Sequence, residues 1–95
     1  MITYTAAYSF EGEICLGEVL DFPGTVSFGN TLEEARTSLS AALLDMAETN
    51  LSLSEPLPKP LLSIKKPDAD IIEPIYLLLH ASNQIDVQPL SPAGV

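Results

Sequence analysis

The stretch Asp21-Phe22-Pro23-Gly24-Thr25-Val26-Ser27-Phe28-Gly29-Asn30-Thr31-Leu32-Glu33-Glu34-Ala35 constrains the fold more than any other part of this chain. A Pro-Gly pair calls for a turn in which the glycine takes a positive φ. Thr25 to Phe28 then reads as a short strand, and Gly29 closes it. Thr31, with Glu34 three residues on, forms a capping box, so a helix opens at Leu32. Asn30 with Glu33 is the alternative cap. Glu33 and Glu34 also suit the positive end of a helix dipole. Turn, strand and helix start therefore follow one another without a gap.

The flanking sequence extends this pattern. Ile2, Tyr4, Ala6, Tyr8 and Phe10 alternate with Thr3, Thr5, Ala7 and Ser9. This period of two, rich in aromatic and β-branched residues, predicts a strand over about 2–10. Glu11-Gly12 supplies a turn, and a second strand runs from Glu13 to Leu20. Gly17 within it marks a bulge or a close neighbour. With the strand at 25–28, the expectation is an antiparallel meander. In the helix, Leu32, Ala35, Leu39, Ala42, Leu43, Met46 and Ala47 make one apolar stripe. Glu33, Arg36, Ser40 and Asp45 fall largely away from it. The helix is expected over 32 to about 49, covering the sheet face that carries Ile2, Tyr4, Tyr8 and Phe10.

Pro56, Pro58, Pro60 and Pro67 remove ladder donors and block regular helix, so 50–70 reads as a connection. It is long for a compact domain and is expected to wrap the surface or to lie against a neighbouring copy. Leu61-Leu62-Ser63-Ile64 reads as an extended piece of it. The run from Ile71 to Ala81 is apolar enough for a buried strand or a short helix, with Pro74 available as a first helical residue. Ser82-Asn83-Gln84 looks like a turn, and Ile85-Asp86-Val87-Gln88 alternates again. That context favours a strand over about 75–81, a shorter one over 85–88 and a tail over 90–95. The expected fold is α+β: an antiparallel sheet of three to five strands with one main helix on one face, in the order β-β-β-α-β. A single domain over 1–95 is expected, with its core at about 2–60.

Thirteen acidic residues against four basic ones give a net charge of −9. Phosphate binding needs Lys and Arg, and Arg36, Lys59, Lys65 and Lys66 form no stripe. Direct nucleic-acid binding is therefore not expected, whereas a basic protein partner is favoured. Met1-Ile2-Thr3-Tyr4 has no basic leader character, and the apolar run Ile75 to Leu79 is too short to span a bilayer. The expected compartment is the cytoplasm, with no membrane partner.

The chemistry-bearing residues are few. Cys15 stands alone in an apolar strand, where a cysteine packs rather than reacts. His80 lies beside Leu79 and Ala81 and reads as a packed or edge histidine. No HxxxH, CxxC or HExxH spacing occurs, so no transition-metal site is expected. Carboxylates are the only abundant functional groups, and Glu11, Glu13, Glu18 and Asp21 are the set that could in principle gather around a divalent cation. Two flank a hairpin turn, and the other two would point to opposite faces of a strand. The residues support a binding module with no catalytic set, no metal and no cofactor.

The opening segment resembles the HicB-like antitoxin family. The resemblance rests on Leu20-Asp21-Phe22-Pro23-Gly24, on Gly29-Asn30-Thr31-Leu32-Glu33-Glu34-Ala35, and on Leu57-Pro58-Lys59-Pro60 after the helix. It covers about residues 2–60. It implies a partial ribonuclease-H-like fold without the catalytic acids, and a structural role for the motif residues. It also implies a small basic ribonuclease toxin of the HicA type as partner, and self-association as a dimer or larger. The family commonly has Cys where this chain has Thr25. After Asp70 the chain shows few charges and no basic face, so the promoter-binding domain of many members is not expected here. The alternatives are an orphan self-associating module and, further off, a vestigial metal-dependent nuclease.

Overall fold

In β1 (Ile2–Glu11) the even-numbered residues face one way and are bulky and apolar. Tyr4, Ala6 and Tyr8 are fully buried, while Thr3 and Thr5 lie on the opposite face. Every other element is arranged around this strand. A two-residue loop at Gly12-Glu13 returns the chain into β2 (Ile14–Val19), and β3 (Val26–Gly29) pairs beside it. Helix α1 (Leu32–Ser52) follows, then β4 (Ile71–Leu79) and β5 (Ile85–Pro89). The computed structural model describes residues 1–61, 63–79 and 84–89. The five strands form one antiparallel sheet in the order β3-β2-β1-β4-β5, with the helix on one face. This is the α+β architecture expected, at the upper end of the strand count.

The helix buries Ala35, Leu39, Leu43 and Ala47. They close over Tyr4, Ala6, Tyr8, Cys15, Val19 and Phe22 from the first half of the chain, and over Ile75 and Leu77 from β4. The Tyr4 and Phe22 rings meet edge to face, with centroids 5.4 Å apart, a geometry that adds about 1 kcal/mol beyond area burial. Gly17 answers to a close neighbour rather than a bulge. The β1–β2 register is unbroken, and a Cβ there would come within 3.0 Å of the Tyr8 ring.

Four expectations change. The helix runs three residues past 49, to Ser52. Phe10 lies on the expected face but beyond the reach of the helix, and is half exposed. β4 begins at Ile71, with Pro74 inside it. Pro74 pairs with Thr5 of β1, and among the described residues the β4–β5 register runs from Ile75↔Pro89 to Leu79↔Ile85. The Leu61–Ile64 piece is not extended: Ser63 has φ +64° and the Ile64 N–H turns back to the Leu61 carbonyl. Leu62, His80, Ala81 and the first two residues of the expected turn Ser82-Asn83-Gln84 fall outside the described residues, as does the tail from 90.

The connection after α1 wraps the domain. The Tyr4 hydroxyl donates to the Pro58 carbonyl at 2.7 Å, and Leu57 packs on the core. No helix among the described residues is long and apolar enough to cross a membrane.

Candidate functional site

The motif residues build the joint between sheet and helix. Thr25 N–H donates to the Phe22 carbonyl across Pro23-Gly24, and Gly24 has φ +89°. That is the backbone that glycine adopts without strain in a Pro-Gly turn. Thr31 caps α1: its Oγ1 accepts the Glu34 N–H at 3.0 Å, while Glu34 Oε1 accepts the Asn30 N–H at 3.0 Å. The return bond thus reaches one residue further back than in the usual capping box. Glu33 is exposed in the first turn, Leu32 is half-buried, and Ala35 is fully buried under the sheet. Gly29 is where the helix start touches the sheet. A Cβ there would lie 2.7 Å from the Ala35 nitrogen and 2.7 Å from Glu34 Cβ.

Asp21 does more than occupy the turn. It is 3% exposed, and its two carboxylate oxygens take main-chain donors from distant parts of the chain. Oδ1 accepts from Thr5 N at 2.8 Å, and Oδ2 accepts from Leu61 N at 3.0 Å. One side chain therefore fastens β1, the Pro-Gly turn and the connection together. Burial raises the pKa of Tyr4, and the Asp21 charge raises it further.

A second buried ionic contact crosses the helix–sheet layer. Arg36 reaches from α1 to Glu73 on β4 with two parallel bonds, Nε to Oε1 at 2.7 Å and Nη2 to Oε2 at 3.0 Å. Arg36 therefore turns toward the sheet instead of away from the apolar stripe. This bidentate bond to Glu73 is the main cause of a raised Arg36 pKa. Burial, then the nearby Glu73 charge, pushes the Tyr8 phenol far above its usual range. The Tyr8 and Thr25 hydroxyls are buried and have no partner among the described residues.

The carboxylates weighed as metal ligands separate. Asp21 points inward, Glu18 pairs with Lys66, and Glu11 and Glu13 are exposed at the hairpin. Among the described residues, no three His, Cys, Asp or Glu side chains converge as a ligand set. Cys15 is fully buried, and burial raises its thiol pKa, with Asp70 adding to the effect.

The open concavity lies mainly on the other face of the sheet, with Ser38 of α1 at its border. The β3 strand is inverted relative to ordinary patterning. Ser27 faces the helix and donates to the Ala35 carbonyl, while Val26 and Phe28 face outward and are 64% and 69% exposed. The register sets Leu16 beside Phe28 and Glu18 beside Val26. The connection supplies the opposite wall with Lys66, Asp68 and Asp70. The resulting groove has a volume of about 830 Å³. Lys66 is the one cation among its lining residues and is held by Glu18, whereas Glu11, Asp68 and Asp70 add three further negative charges. Sequence reading gives 25–28 as a short strand without assigning Val26 and Phe28 to a face, so this surface is not foreseen there. The available signal was Ser27 and Gly29, which alternate with Val26 and Phe28 and suit the tightly packed side.

Comparison with known structures places this geometry. The chain is similar to the crystal structure of the N-terminal domain of the Burkholderia pseudomallei antitoxin HicB, with a TM-score of 0.69 and 22% sequence identity. The match covers 82% of this chain and 100% of that one. No family model matches the sequence, and no curated protein matches it.

Proposed function

We propose that this chain, which shares the fold of the HicB antitoxin N-terminal domain, is a non-catalytic protein-binding module of the antitoxin type. Its partner is a small basic protein, of the ribonuclease-toxin class implied by the HicA-type resemblance. The fold likeness over 82% of the chain carries this reading. Two properties of the chain support it. The net charge of −9 steers a cationic partner inward and repels nucleic acid. The buried carboxylates are already committed, Asp21 to two main-chain donors and Glu73 to Arg36, which argues against a vestigial nuclease.

Recovery of the tagged protein from its native cells at low salt tests the proposal. A small basic protein should co-purify, its ribonuclease activity should be suppressed by added chain, and the pair should part as salt is raised. Recovery without any basic partner contradicts the reading. So does magnesium- or manganese-dependent cleavage of labelled RNA by the chain alone.

Self-association without a toxin is the second reading. Its route would differ from the one the sequence suggests, because β4 lies inside the sheet, between β1 and β5. Among the described residues the edge strands β3 and β5 are the ones left to pair with a copy. Sedimentation as a monomer at micromolar concentration contradicts that reading.

A further inference from the structure

We infer that the outer-face groove between β3 and the connection is the docking surface, and that it takes a cationic segment carrying an apolar or aromatic anchor. The inference rests on reading the chain as a protein-binding module and adds the place and the chemistry. Three observations converge on this surface. Val26 and Phe28 stand in the open beside Leu16, forming the kind of contiguous apolar patch that isolated proteins avoid. The groove is concave: residues of β1, β2 and β3 line it together with Lys66, Asp68 and Asp70 of the connection and Ser38 of α1. Its charged residues are Glu11, Glu18, Asp68 and Asp70 against a single lysine already tied to Glu18.

Charge complementarity selects the occupant. An apolar floor with an acidic rim is matched by a side chain such as Leu or Phe flanked by Lys or Arg. A second copy of this chain fits poorly, since it brings another net charge of −9 and the same acidic rim. β3 is also one edge of the sheet, so the groove is open along that side to an extended segment.

Titration of the isotope-labelled chain with a synthetic peptide alternating Lys or Arg with Leu and Phe tests the inference, read by amide chemical shifts at low salt. Perturbations should centre on Leu16, Val26, Phe28 and Asp68. Phe28→Ser should weaken the peptide at least about tenfold, as truncation of a central anchor does. Phe28 is so exposed that this variant should keep the parent's thermal stability. Asp68→Lys should weaken binding markedly, whereas Glu48→Lys, the same charge change on the helix, should alter it less than about twofold. A peptide with Glu in place of the basic residues should not bind. Absence of binding, perturbations elsewhere, or unchanged affinity in Phe28→Ser each overturn the inference. Groove shifts that appear with protein concentration alone, before any peptide is added, overturn it in favour of a second copy. Measured with the basic protein recovered from cells, unchanged affinity for Phe28→Ser removes the groove while leaving the binding-module reading intact.

Discussion

Asp21 offers the sharpest test of how this fold is held. Its two oxygens receive the Thr5 and Leu61 N–H groups at 2.8 and 3.0 Å, and the side chain is almost wholly buried. A hydrogen bond to a charged group is worth about 1.5–3 kcal/mol. Asp21→Ala removes two of them and leaves two donors facing a gap, so a loss of about 3–5 kcal/mol is expected. A domain of this size has a total stability of about 5–14 kcal/mol, and each kcal/mol lost lowers its melting temperature by about 4–8 °C. Asp21→Ala should therefore melt at least about 12 °C lower. Asp21→Asn is more selective. Its amide oxygen can still serve one N–H, but its NH₂ group then confronts the other donor. It should lose about 2–3 kcal/mol. Urea unfolding with linear extrapolation measures both losses, and hydrogen exchange at Thr5 and Leu61 shows which bond is released. If both variants stay within about 0.5 kcal/mol of the parent, the range of ordinary surface substitutions, the carboxylate does not fasten the connection and the reasoning fails.

Other substitutions probe separate joints. Arg36→Ala leaves the Glu73 carboxylate buried and unpaired, and should lose about 3–5 kcal/mol in denaturant, whereas replacing both partners by Met and Leu should recover most of it. Gly29→Ala forces a Cβ against helix backbone that cannot yield, with an expected loss of about 1–3 kcal/mol in thermal unfolding. Thr25→Val removes a buried hydroxyl with no partner among the described residues and should be neutral or stabilising by up to about 1 kcal/mol; a clear loss would show that the hydroxyl has found one. Tyr4 and Tyr8 have raised pKa values in the folded state, so their contribution is fully present below the unfolded value of about 10 and is lost as pH rises above it. Tyrosinate absorbance from these two residues should appear together with alkaline unfolding rather than before it.

Much of the framework is legible from local pattern. The alternation of Ile2 to Phe10, the Pro23-Gly24 turn, the Thr31 cap and the helix stripe each depend on neighbours a few residues away. Their physics is therefore contained in the sequence around them. The contacts that lock the framework are not local. Arg36 and Glu73 are 37 residues apart, and Asp21 reaches residues 16 and 40 positions away. Their partners emerge only when β4 and the connection are placed against β1. Pro74 hid the start of β4 for a related reason: a proline in an apolar run reads as a break until its pairing with Thr5 of β1 is seen. The groove was the least visible feature. Val26 and Phe28 look like core residues until Ser27 and Gly29 are seen to occupy the side against the helix.

The central claim is that an acidic, non-catalytic scaffold binds a basic protein through its outer face. The most direct measurement is the affinity of the co-purified basic partner for the parent chain and for Phe28→Ser, determined calorimetrically at low and at high salt. The account predicts saturable binding to the parent that weakens as salt rises, and at least about tenfold weaker binding to Phe28→Ser. Equal affinity for the two chains, or binding indifferent to salt, contradicts it.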